Sequence, residues 1–159
     1  MDQIRRGLLL GAAMGAIAGP SAAQAADVVL TVRNETGQRR QFDMAALERL
    51  PQRSMVTATP WYDHSRKFTG PLLRDVLAAA GAKGTTMKAI ALNDYAVVIP
   101  VADALKFDVV VARLLDDQPM PRRDKGPLFI VYPFDEQPEL RKQIYFTRCA
   151  WQLSGIEVS

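Results

Sequence analysis

Cysteine and histidine are nearly absent from this chain, since its 159 residues include one of each. A single cysteine cannot form an internal disulfide. One cysteine with one histidine also cannot complete a Cys/His zinc site or hold an iron–sulfur cluster, which leaves only a carboxylate-rich metal site open. The net charge of +3 is too small to indicate a nucleic-acid partner. We therefore predict no metal site and no nucleic-acid binding.

The first 25 residues have the pattern of a secretory signal peptide. Arg5 and Arg6 precede an uncharged apolar stretch, Gly7–Ala18, and Ala23-Gln24-Ala25 is a small-x-small cleavage pattern. The apolar stretch is shorter than the roughly 20 residues that span a bilayer. We expect cleavage after Ala25, a periplasmic or secreted protein without a transmembrane segment, and one domain over 26–159. An uncleaved membrane anchor is the alternative, and the arginine pair leaves the export route open.

Hydrophobic periodicity and turn residues predict an α+β fold with mixed β-sheets and short helices. Asp43 is a suitable N-cap, Pro71 a suitable first residue of the main helix, and Gly81 its end. Asn93-Asp94 is typical of a two-residue hairpin turn. Irregular alternation of the elements favours α+β over a doubly wound sheet. The predicted strands are 28–32, 39–42, 54–59, 87–92, 95–99, 109–115, 128–132 and 150–158, and the predicted helices are 44–50, 71–80, 102–107 and 138–142.

Standard catalytic motifs are missing from the sequence. It contains no phosphate-binding loop after a strand and no Gly-x-Ser-x-Gly elbow, so no catalytic residue is assigned. His64 is read as a solvated loop residue, with a general base or ligand contact as the alternative. Cys149 is read as a small buried residue at the start of the last strand, with a reactive thiolate or an intermolecular disulfide as the alternatives.

Aromatic and basic residues at the ends of predicted strands indicate a pocket. The basic loop over 122–127 suggests an anionic ligand, although a solvated hairpin tip has the same pattern. The aromatic residues suit a pocket mouth and equally a small core. The candidate binding residues are Trp61, Tyr62, His64, Asn93, Tyr95, Arg122, Arg123 and Lys125.

Five segments in sequence order resemble the molybdopterin-binding oxidoreductase domain of the sulfite oxidase family. They are Phe68–Gly81 with its Gly-Pro-Leu-Leu and closing Ala-Gly, Ala89–Ile99 with Asn93-Asp94-Tyr95, Val111–Met120, Lys125–Pro133, and Trp151–Val158. The resemblance covers about residues 28 to 158 and implies the mixed α+β fold of that family. It also implies an oxidoreductase that uses molybdopterin.

Two departures from the family concern the cofactor. The resemblance implies a molybdenum-ligating cysteine in the loop after the strand 54–59, but Val56–Trp61 contains none. Leu128 and Phe129 occupy the stretch where the family has an arginine near the pterin phosphate. Because threonine is a poor substitute for a thiolate, we predict that no cofactor is bound, with molybdopterin as the alternative.

Three functions follow from this reading. The first is a non-catalytic binding or sensory module that accepts a small anionic or pterin-like ligand or a periplasmic protein partner. The second is a molybdopterin oxidoreductase with altered metal ligation. The third is a subunit of a larger complex, because the polar strand Gln38–Phe42 would offer an edge for pairing.

Overall fold

The computed structural model of this chain describes residues 27–159, so the predicted signal peptide lies outside the described residues. The strands are β1 (Val28–Arg33), β2 (Arg39–Asp43), β3 (Gln52–Thr57), β4 (Arg66–Pro71), β5 (Thr86–Ala91), β6 (Ala96–Pro100), β7 (Val110–Ala112), β8 (Leu114–Leu115), β9 (Gln118–Pro119), β10 (Phe129–Val131) and β11 (Leu153–Val158). The helices are α1 (Met44–Arg49), α2 (Leu73–Ala79), α3 (Val101–Lys106), α4 (Gln143–Arg148) and a 3-10 turn at Pro138–Leu140. No described helix is both long enough and apolar enough to cross a membrane.

Three groups of strands build the fold. A five-stranded sheet has the order β2-β1-β11-β5-β6, in which β1 and β11 are parallel and the other pairs antiparallel. A four-stranded antiparallel sheet has the order β3-β4-β8-β9, and β7 pairs with β10. Short helices connect these strands. The predicted α+β class with mixed sheets is therefore confirmed.

The β7–β10 pair lies at the centre of the core. All six of its residues are 0% exposed, as expected for short, continuously apolar strands. The strands of the five-stranded sheet instead alternate, so that Leu30 and Val32 of β1 and Ile156 of β11 are buried while their neighbours are partly exposed. One face of that sheet therefore packs on the core.

Three helix boundaries were predicted from local signals, and two of these predictions are confirmed. Asp43 caps α1, because its Oδ1 accepts a hydrogen bond from the Ala46 backbone N–H at 2.7 Å. Gly81 ends the turn after α2 with a positive φ of 61°. Pro71 as the first residue of the main helix is wrong. It ends β4, and α2 begins at Leu73, whose N–H is bonded to the Val109 carbonyl at 2.8 Å.

Several predicted strand boundaries were also wrong. The predicted strand 54–59 is β3, which starts and ends two residues earlier, and the end of the predicted loop 60–67 is part of β4. The predicted strand 109–115 divides at Arg113 into β7 and β8, which pair with different partners. The hairpin loop has four residues, 92–95, because Asp94 adopts a φ of 65° and the Ala91 N–H is bonded to the Tyr95 carbonyl. Helix α4 was not predicted.

Candidate functional site

A cavity of about 420 Å³ opens between the loop after β3, the tip of the β5–β6 hairpin and α4. Its volume is in the range typical of small-molecule sites. The lining residues are Pro60, Trp61, Asn93, Tyr95, Gln143, Phe146, Thr147, Cys149, Ala150 and Trp151.

Aromatic rings form one continuous wall of this cavity. Trp61 packs edge-on against Trp151, with ring centroids 5.6 Å apart, and against Phe146 at 6.3 Å. Behind it, Trp61 meets the fully buried Phe129 at 5.5 Å. Each such pair contributes about 0.5–1.5 kcal/mol beyond the burial of apolar area. The wall is therefore held in place before any ligand arrives.

Polar groups also line the cavity. Gln143 and Thr147 are four residues apart on α4 and so share one face of that helix. At the hairpin tip, the Asn93 side-chain oxygen accepts the backbone N–H of Tyr95 at 3.2 Å, which fixes both residues at the rim. A ligand in this cavity thus meets flat apolar surfaces together with amide and hydroxyl groups.

Helix α4 has no fully buried residue. A hydrogen-bond network at its C-terminal end holds it against the rest of the fold. The Arg148 guanidinium donates to Asp103 Oδ2 of α3 at 2.8 Å, and the hydroxyl of the buried Tyr132 donates to the same oxygen at 2.7 Å. Burial, followed by the bond to Asp103, raises the pKa of Tyr132 well above its usual value. This buried network therefore positions the helix that carries Gln143 and Thr147.

A basic side chain lies beside the aromatic wall. The Lys125 ammonium is 5.2 Å from the centroid of the Trp151 ring and 4.9 Å from that of Tyr62. The backbone N–H of Gln152 donates to the Lys125 carbonyl at 2.9 Å and so fixes the basic loop against the wall. Burial and the nearby Asp124 carboxylate raise the pKa of Tyr62.

The structure brings together five of the eight candidate binding residues. Trp61, Asn93 and Tyr95 line the cavity, while Tyr62 and Lys125 adjoin its Trp151 wall. The other three, His64, Arg122 and Arg123, are exposed and do not line it.

The surroundings of His64 differ from those of the cavity. The imidazole lies close enough to Asp116 to contribute to the lowered pKa of that carboxyl, which results mainly from hydrogen bonds donated by the backbone of Lys67 and the side chain of Arg66. His64 therefore lies near the exposed Asp116 just before the start of β4 and not in the lining of the cavity.

The residues that sequence reasoning missed lie mostly on α4. Gln143, Phe146 and Thr147 share one face of α4 through their i, i+3, i+4 spacing, but a helix of six residues gives too short a pattern to be predicted from the sequence. Cys149 was predicted to be a small buried residue at the start of the last strand. Its burial is confirmed, but its place in the strand is wrong. It follows α4 directly and lines the cavity.

The donor atoms around the cavity do not fit a thiolate-ligated molybdenum. At the end of β3, Thr57 Oγ1 accepts a hydrogen bond from the backbone N–H of Asp135 at 3.1 Å. In the loop that follows, the buried Thr59 Oγ1 finds no hydrogen-bond partner within residues 27–159. The Cys149 Sγ donates to the Tyr145 carbonyl at 3.5 Å, and burial raises its pKa to about 12. Over the described range, no three His, Cys, Asp or Glu side chains are grouped to hold a metal.

Comparison with known proteins agrees with the fold. No curated protein matches this chain. Among solved structures, the sulfane dehydrogenase SoxCD from Paracoccus pantotrophus is similar, with a TM-score of 0.61 and 16% identity over 81% of this chain. The match spans only 37% of the SoxCD chain. The sequence profile of the oxidoreductase molybdopterin binding domain matches residues 17–158. The chain therefore belongs to the oxidoreductase molybdopterin binding domain family.

Proposed function

We propose that this protein is a periplasmic, non-catalytic module that binds a small anionic or pterin-like ligand in the cavity beside the loop after β3. The observation that carries the proposal is the combination of a preformed aromatic wall, through Trp61 and Trp151, with a loop that has no cysteine. Flat rings suit such a wall, and the amide groups of Asn93 and Gln143 suit the polar edge of a heterocycle.

The chemistry of the nearest thiol supports binding rather than redox catalysis. A metal-ligating or nucleophilic cysteine acts as its thiolate. Cys149 is buried and its pKa is raised to about 12, so the thiol keeps its proton at neutral pH. The cavity therefore presents this residue to a ligand as a neutral group.

A thermal-shift screen of pterins and small anions tests ligand binding. A compound at a hundred times its Kd should stabilise the native state by about 2.7 kcal/mol. The variant Thr147→Phe should abolish the shift, because residue 147 lines the cavity. The variant Ile144→Phe is the matched control, since Ile144 is 54% exposed on the same helix and does not line the cavity. Absence of stabilisation by every compound would contradict the proposal.

Export is tested separately from ligand binding. The signal-peptide pattern supports a mature chain that begins at Ala26. N-terminal sequencing of protein from a periplasmic extract of the native host should therefore start at this residue. Recovery of the intact N-terminus from the membrane fraction would instead support the uncleaved anchor.

The enzymatic alternative, an oxidoreductase with altered metal ligation, has a direct test. The protein is purified from its native host, and its molybdenum and the pterin fluorescence released by acid are measured. Stoichiometric molybdenum would overturn the non-catalytic proposal. The family membership supports this alternative, while the donor atoms around the cavity argue against it.

The position of β2 favours one further candidate, a subunit of a larger assembly. β2 is an edge strand of the five-stranded sheet, and its Arg39, Arg40 and Gln41 are exposed. Such an edge offers unpaired backbone groups to another chain. Sedimentation of the native extract tests this, because purely monomeric behaviour would count against an assembly.

A further inference from the structure

The β2 edge of the five-stranded sheet is basic. Arg39 and Arg40 are exposed on this edge strand, and Arg33 of β1 lies directly opposite Arg39. Like charges at directly opposed positions of two strands destabilise a sheet. Within residues 27–159, none of these three guanidinium groups forms an ion pair with a carboxylate. The edge therefore carries positive charge that the described part of the chain does not neutralise.

The backbone of β2 also has hydrogen-bonding groups that face away from the sheet. At the turn before β2, the Asn34 N–H donates to the Gln38 carbonyl at 2.9 Å, which begins the ladder between β1 and β2. Hydrogen-bonded and non-hydrogen-bonded pairs alternate along an antiparallel ladder. The N–H and C=O groups of Arg39 and Gln41 therefore point toward the free edge, where an extended peptide can pair with them.

A hollow of about 240 Å³ lies beside this edge, and both Arg33 and Arg39 line it. Gly155 of β11 is also in the lining and leaves this space open, because it has no side chain. Glu157, whose carboxylate lines the hollow as well, is 3.9 Å from the Lys88 ammonium and is thus partly neutralised. Residues that lie opposite one another on neighbouring strands share a face of the sheet. In a strand added to β2, the side chain opposite Arg39 would therefore lie at this hollow.

The order of the arginines defines what an added strand must carry. Successive residues of a strand point to opposite faces, so Arg39 and Arg40 each require an acidic residue on a different face of the neighbouring strand. Two consecutive acidic residues in an extended segment meet both requirements. A second copy of this chain does not meet them, because pairing β2 with β2 would place the arginines of both copies on one short ladder.

We propose that β2 binds an extended acidic segment of a partner protein as an additional strand, with two consecutive acidic residues against Arg39 and Arg40. This inference rests on the proposed role of the chain as a subunit of a larger assembly, and it adds the chemistry of the partner. It is independent of the ligand cavity. The β5–β6 hairpin, which carries the cavity residues Asn93 and Tyr95, lies at the opposite edge of the sheet.

The test measures the binding of fluorescent peptides to the full chain by fluorescence anisotropy. The acidic peptide is Thr-Thr-Val-Glu-Glu-Val-Thr-Thr, and glutamines replace both glutamates in its neutral counterpart. The acidic peptide should bind about tenfold more tightly, as expected for one charge-assisted hydrogen bond. Methylation of the central amide nitrogens of the acidic peptide should weaken its binding by about tenfold or more, because strand pairing uses those groups.

Variants of the protein locate the binding site. Arg39→Gln/Arg40→Gln should lose most of the preference for the acidic peptide. Arg122→Gln/Arg123→Gln is the matched control, because it removes the same charge from an exposed loop outside the five-stranded sheet. Gln41→Pro should weaken the binding of both peptides, since it removes an N–H of the free edge and no charge. Melting temperatures establish that each variant is folded.

The outcomes separate the two proposals. If neither peptide binds, the role of β2 as an assembly edge fails and this inference fails with it. If both peptides bind equally and methylation abolishes binding, strand addition stands and the selection for acidic residues is overturned. If the methylated acidic peptide binds as tightly as the unmodified one, the arginines attract polyanions in general and the added strand is overturned. An equal loss of preference in the control and in Arg39→Gln/Arg40→Gln would assign the selection to net charge and overturn the assignment to β2.

Discussion

Replacement of Gly70 by alanine should severely destabilise this protein. Gly70 lies in β4, which crosses the central strand β7 at close range. A Cβ at residue 70 would lie 1.9 Å from the Val111 carbonyl oxygen and 3.0 Å from the Ala112 Cα. Non-bonded carbon atoms normally come no closer to one another than about 3.5 Å. The added methyl group would therefore overlap backbone atoms by more than an ångström.

The loss of folding free energy depends on how firmly the two strands are held at this distance. Hydrogen bonds of 2.8 Å, from the Arg113 N–H to the Thr69 carbonyl and from the Leu73 N–H to the Val109 carbonyl, fix the spacing of the two segments on either side. Relief of the clash would break these bonds or displace the fully buried β7. Overpacking costs about 1–3 kcal/mol in cores where side chains can adjust. Here backbone must move, so we expect a loss of at least about 3 kcal/mol, a large share of a typical total of about 5–15 kcal/mol.

The assay is urea unfolding followed by tryptophan fluorescence, with Gly155→Ala as the matched control. Gly155 is also a strand glycine, but a Cβ there would meet its nearest atoms, Ile90 Cβ and Thr31 O, at an ordinary 3.7 Å. The control should be neutral or should gain up to about 1 kcal/mol, since glycine weakens strands. A Gly70→Ala variant within about 1 kcal/mol of wild type would refute the argument.

Three further predictions concern stability. Tyr132→Phe leaves Asp103 without its buried hydroxyl donor and should cost about 1.5–3 kcal/mol in urea unfolding, whereas Tyr95→Phe at the exposed hairpin tip should change the stability by less than about 0.5 kcal/mol. Burial raises the pKa of Cys149 from 9.0 to about 12, so the unfolded chain loses this proton first as the pH rises. The free energy of unfolding should then fall by about 1 kcal/mol between pH 9 and pH 10, and a Cys149→Ala variant should lack that decrease. Asp43→Ala should lower the stability by about 1 kcal/mol through loss of the α1 cap, measurable in the same titration.

Features with local causes were predictable from the sequence. The Asp43 cap and the Gly81 turn depend on side-chain and backbone preferences of single residues, and both were found. The Gly70-Pro71 pair shows the limit of such reasoning. These residues are equally compatible with the end of a strand and the start of a helix. The contact of Gly70 with Val111, distant in sequence, requires the glycine in β4.

Part of the candidate site was also predictable, because some of its residues follow local signals in the sequence. Trp61, Asn93 and Tyr95 were recognised as residues at strand ends, where pockets form. Helix α4 was missed because it has only six residues and no buried one, so it has little periodicity of its own. Its position depends on the bond between Arg148 and Asp103 and on the packing of its aromatic residues, none of which a local pattern contains.

Cys149 connects the fold with the proposed chemistry. The fold places this thiol in the wall of the cavity that the loop after β3 also lines, so proximity alone would allow it to replace the missing cysteine of that loop. Its surroundings oppose that role. Burial raises the pKa of this thiol to about 12, so the sulfur is protonated at pH 7, whereas a metal ligand must be the thiolate. The thiol therefore contributes a neutral group to the wall of the cavity at pH 7.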